Sequence, residues 1–71
     1  MNDMAAEAEA AVRSELGAAC VPQQCIVTGP LVTNQLRSWS VRVVCKDGTE
    51  KSYEYRKRIG SEMGVVWAIT K

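Results

Sequence analysis

The segment from Leu36 to Arg58 constrains this chain more than any other. Trp39, Val41, Val43 and Cys45 alternate with Ser38, Ser40, Arg42 and Val44, the period-two pattern of a strand with one buried face. Lys46-Asp47-Gly48 interrupts the pattern with turn residues, and a second strand is expected from Thr49 to Arg58. Two registers compete. A two-residue Asp47-Gly48 turn sets Tyr53 opposite Arg42 and Tyr55 opposite Ser40, which takes both rings off the apolar face. A three-residue loop, Lys46-Asp47-Gly48 with Gly48 left-handed in a bulge, sets Tyr53 opposite Val41 and Tyr55 opposite Trp39. A slip of one residue turns every side chain over, so the apolar pattern selects the three-residue loop. Lys51 then lands opposite Val43 on the apolar side, near a strand end where its stem reaches water.

The remaining elements follow from turn and cap residues. Asn2 and Asp3 suit an N-cap, and Met4 to Leu16 reads as an alanine-rich helix, alanine having the best helix propensity. Met4, Ala8, Ala11, Val12 and Leu16 share one narrow face. Glu9 and Arg13 form an i,i+4 pair, and Gly17 suits the left-handed position that ends a helix. Ala18 to Gln24 reads as a connection. Cys25 to Val32 is a first strand, bent at Gly29-Pro30, where proline has no N–H to donate and an edge or bulge is expected. Thr33-Asn34-Gln35 is a turn. After a loop from Ile59 to Gly64, Val65 to Thr70 is the last strand.

The predicted fold is a single α+β domain spanning residues 1–71: an N-terminal helix packed on a four-stranded antiparallel meander sheet. This element order resembles the helix-on-sheet architecture of the cystatin family. The family's inhibitory loop follows a Gln-x-Val-x-Gly pattern. Gln24-Cys25-Ile26-Val27-Thr28-Gly29 is one residue longer and lies at the start of the first strand, so no cystatin residue is carried over.

Composition narrows the function. The 71 residues hold one domain, with 46% apolar and 24% charged side chains and a net charge of +1. That balance exerts no global pull on nucleic acid or an anionic membrane. No stretch reaches the ~18–20 apolar residues of a membrane span. Met1 to Ala11 does not read as a signal peptide; that absence does not set the compartment, for which the cytoplasm is the expectation. There is no histidine, which removes the commonest general base and metal ligand. No phosphate loop appears, because Gly60-Ser-Glu-Met-Gly64 lacks the following lysine and precedes a strand. Three cysteines at this spacing do not make a zinc site. We therefore expect no enzyme, no metal and no cofactor.

Three candidate surfaces remain. The first is apolar material on the sheet face away from the helix, taken as Val44, Val66 and Ala68 with Arg42 beside them. It suits a contact with a protein partner or with a second copy of the chain. The second is the basic set Arg37, Arg42, Arg56, Lys57 and Arg58, which would bind single-stranded nucleic acid if rings stood beside it. In the chosen register Arg42, Arg56 and Arg58 face away from Trp39, Tyr53 and Tyr55 while Lys57 continues the tyrosine side, and a solvated charged face is the competing explanation. The third is a Cys20–Cys25 disulfide, which would mark a secreted or periplasmic inhibitor-like module. Its competitor is three reduced cysteines acting as small apolar side chains.

Overall fold

The computed structural model describes residues 4–69. A helix, α1 (Met4–Leu16), precedes four strands: β1 (Pro22–Thr33), β2 (Leu36–Cys45), β3 (Glu50–Arg58) and β4 (Gly64–Ile69). The strands form one antiparallel sheet in the order β1-β2-β3-β4. This is the predicted helix-on-sheet meander. Asn2 and Asp3, read as N-cap residues, and Thr70, read as part of the last strand, lie outside the described residues.

The central hairpin has the three-residue loop. Trp39 pairs with Tyr55, Val41 with Tyr53 and Val43 with Lys51. Gly48 takes a φ of 91°. The loop closes with the Gly48 N–H donating to the Cys45 carbonyl at 2.9 Å and the Cys45 N–H donating to Thr49 at 2.8 Å. The Asp47 carboxylate accepts from the Thr49 N–H at 2.9 Å, which holds its pKa below the ordinary range. Aligned this way, β2 and β3 leave Leu36 and Val44 on one face and put Trp39, Val41, Val43, Cys45, Tyr53 and Tyr55 on the other.

That face meets the helix. Ala8, Val12 and Leu16 are buried at four-residue intervals, and Met4 and Ala11 pack beside them. Opposite them lie Trp39, Val41, Val43, Cys45, Tyr53 and Tyr55, all buried. The small helix side chains allow close approach, and the rings supply the volume. The Trp39 and Tyr55 rings sit 5.7 Å apart, tilted by 46°, within the centroid range of interacting aromatic pairs. Gly17 ends the helix with a φ of 68°, as its left-handed position requires.

The edges differ from each other. β1 runs longer than predicted, starting at Pro22, and its pairing with β2 shifts register between Thr28 and Leu31. Gly29-Pro30 sits in that irregularity, joined by a cis peptide bond. A backbone turn then reverses the chain in two residues, Asn34 and Gln35, with φ of 49° and 67°. Two consecutive left-handed residues are the signature of a type I′ hairpin turn. At the other edge, β4 has no proline and no charged residue between Gly64 and Ile69.

The cysteine pairing corrects the sequence reading. Cys20 is bonded to Cys45, with Cα atoms 5.3 Å apart, and Cys25 is the free cysteine. Neither a Cys20–Cys25 bridge nor three reduced thiols is present. The reason is register. The start of β1 lies beside the end of β2, with Pro22 paired to Cys45 and the Lys46 N–H donating to Val21 at 2.8 Å. Cys20 and Cys45 therefore meet at the closed end of the core. Cys25, further along β1, pairs with Val43 instead.

Candidate functional site

The helix covers one side of the sheet, and the candidate site is the other. Its side chains stand in cross-strand rows. Ile26, Arg42, Ser52 and Ile69 form one, Thr28, Ser40, Glu54 and Trp67 the next, and Leu31, Ser38, Arg56 and Val65 a third. Down the middle Ser38, Ser40 and Ser52 are interspersed with Arg42, Glu54 and Arg56. At the β1 rim Ile26 and Leu31 are exposed, and at the β4 rim so are Val65, Trp67 and Ile69. The short serines leave a shallow trough between the rims. One section, of about 400 Å³, is walled by Ile26 and Ile69 over Ser40 and Ser52. A second, of about 490 Å³, lies between Leu31 and Arg56 over Ser38 and Ser40.

The predicted contact set divides between the two faces. Arg42 and Val44 stand on the outer face, as expected. Val66 and Ala68 do not. They pair with Tyr55 and Tyr53, so they point to the helix side, and Val66 packs on the core. Their alternates Val65, Trp67 and Ile69 take the outer face. The cause is steric. Gly64 pairs with Lys57, and a side-chain carbon built on Gly64 would collide with the Tyr55 ring. Beneath the two tyrosines, β4 presents glycine, valine and alanine inward and its larger side chains outward. The loop after β3 leaves this parity open, so alternation in β4 was visible in the sequence while its direction was not.

The basic set divides as well. Arg42, Arg56 and Arg58 share the outer face, whereas Arg37 and Lys57 form a pair on the helix side. Arg56 is engaged with Glu54 on its own strand. Lys57 donates to the Glu7 carboxylate at 2.8 Å, and the Tyr55 hydroxyl donates to the same oxygen at 2.6 Å. This cluster ties the helix to β3. The bonds from Lys57 and then Tyr55 hold the Glu7 pKa below its ordinary value. Burial, and next the bond to Glu7, push the Tyr55 hydroxyl up to about 12. Lys57 thus has a structural partner. Trp67, by contrast, supplies the outer face with the ring that the tyrosines could not.

Among the described residues no group of three histidine, cysteine, aspartate or glutamate side chains converges to hold a metal ion. Among them, too, no helix is long and apolar enough to cross a membrane. Comparison with protein-family models, curated proteins and solved structures finds no match. The site is accordingly defined by its own geometry: an open, serine-floored sheet face with an apolar rim on an uncharged edge strand.

Proposed function

We propose that this chain is a non-catalytic protein-interaction module whose contact surface is the outer sheet face, centred on β4. One observation carries the reading. Trp67 is 55% exposed, and its neighbours on the same side of β4, Val65 and Ile69, are 54% and 46% exposed. A tryptophan held on a rigid strand, with apolar neighbours and arginine nearby, has the composition of an interface hot spot. Arg42 and Val44 belong to this surface as its flank. Val65, Trp67 and Ile69 replace Val66 and Ala68 as its centre. The Cys20–Cys45 bond favours an oxidising compartment over the cytoplasm as the place of action.

A photo-crosslinking residue tests this when placed at position 65, which leaves Trp67 in place, and, as a control, at the exposed helix position 10. The expected result is a discrete protein adduct from position 65 and none from position 10. Equal, diffuse labelling from both positions would overturn the reading.

The single-stranded nucleic-acid reading gains from the same tryptophan. Trp67 stands in the row next to Arg56, on the face that also carries Arg42 and Arg58. A ring beside cations is the arrangement that stacks a base and holds its phosphate. It predicts binding of an oligonucleotide that weakens steeply with salt. The Arg56–Glu54 pair and the acidic Glu50 on the same face weigh against it.

A further inference from the structure

We infer that the occupant of the β4 edge is a second copy of this chain, joined strand to strand in an antiparallel pair. The inference rests on the protein-contact reading and names the partner. An edge strand presents unpaired N–H and C=O groups, and proteins commonly guard it with proline, charge or a bulge. β1 has such guards: Pro22 and Pro30 lie in it, and its register breaks between Thr28 and Leu31. β4 has none of them between Gly64 and Ile69. Four of its six residues, Val65, Val66, Trp67 and Ile69, are β-branched or aromatic and favour strand pairing.

Self-pairing sets each residue against a residue of the same strand, so a charged strand opposes itself. β4 avoids this. A two-fold axis perpendicular to the sheet through Trp67 pairs Trp67 with its copy and Val65 with the copy's Ile69. All of these lie on the outer face, and Val66 meets Ala68 on the helix side. The two helices then sit on the same side of one eight-stranded sheet, in an isologous contact. The nearest outer-face charges, Glu54 and Arg56 on β3, are separated from their copies by three strand spacings. That is about 14 Å, well beyond the ~8 Å screening length at physiological salt. No like charges are forced together, and the exposed apolar rim of each copy is doubled into one stripe. A small domain with a marginal core also gains stability from such association.

The test uses sedimentation of the intact oxidised protein, followed by isotope-filtered NOE spectra of an equal mixture of labelled and unlabelled wild type. The expected result is a concentration-dependent dimer with contacts from Val65 of one copy to Ile69 of the other. Trp67→Lys and Trp67→Glu should each raise the dissociation constant about 30-fold. Mixing those two variants should restore association, because opposite charges then meet across the axis. A wild type that stays monomeric at every concentration, or a dimer whose contacts lie elsewhere, overturns the proposal. The mass of the position-65 adduct separates the two failures. An adduct with a different protein leaves the interaction reading standing without self-pairing, and the absence of any specific adduct removes both.

Discussion

Reducing the Cys20–Cys45 bond should remove most of the stability of this domain. The two cysteines are 25 residues apart in sequence, and both are buried. Cross-linking such a loop restricts the unfolded chain, and the chain-entropy relation gives about 3.5 kcal/mol at 25 °C. The core of a domain this size supplies only roughly 3–5 kcal/mol by itself. For a chain of this length each kcal/mol moves the melting temperature by about 4–8 °C, so the expected fall is about 14–28 °C. The assay is thermal unfolding followed by circular dichroism, with and without a phosphine reductant, after the Cys25 thiol has been alkylated. Tryptic mapping under non-reducing conditions checks the connectivity. Cleavage after Arg13, Arg37, Arg42 and Lys46 puts Cys20 and Cys25 in one peptide and Cys45 in another. The bond therefore joins two peptides that reduction separates, whereas a Cys20–Cys25 bridge would lie within one. A melting temperature that moves by less than about 5 °C on reduction would refute the estimate. An unlinked Cys45 peptide would refute the pairing.

Two further predictions concern the helix tether and the first turn. Tyr55 stays protonated in the fold up to about 12, above the value near 10 of an unfolded tyrosine. Its contribution is present below pH 10 and is lost as pH rises through 12. Glu7 is shifted the other way, so its contribution is present above the ordinary value of 4.5 and is lost as pH falls. Glu7→Gln should flatten the acid limb of the stability profile. It should also lower the pH at which Tyr55 ionises in ultraviolet difference spectra, though only in part, since burial is the larger cause. An unchanged alkaline titration would show that the bond to Glu7 has no effect on Tyr55. Gln35→Gly should stabilise the domain by about 0.5–1 kcal/mol, because glycine adopts the left-handed backbone of this turn without the cost a side chain incurs there. A urea midpoint that falls in this variant would contradict the two-residue turn.

The architecture was largely legible in the sequence because its signals are local and agree with one another. The period of two from Trp39 to Cys45, the turn residues at Lys46-Asp47-Gly48 and the two tyrosines admit only one register that buries all the rings. Alanine spacing from Met4 to Leu16, closed by Gly17, marked the helix. Pro30 marked an edge. Three decisions belonged to the tertiary structure. The disulfide partner of Cys20 depends on which residue the β1–β2 register brings beside it, and spacing along the chain carries no such information. The face taken by β4 depends on a loop of undetermined parity and on the room left by the Tyr55 ring, which a side chain at position 64 would strike. Whether a cation is free depends on what lies across from it, and Lys57 meets Glu7 from a helix fifty residues away. Alternation and propensity act between neighbours in sequence, so sequence alone determined the elements. Which side of β4 faces outward, and so the composition of the candidate site, was decided by steric and electrostatic contacts between distant segments, which exist only once the sheet has closed on the helix.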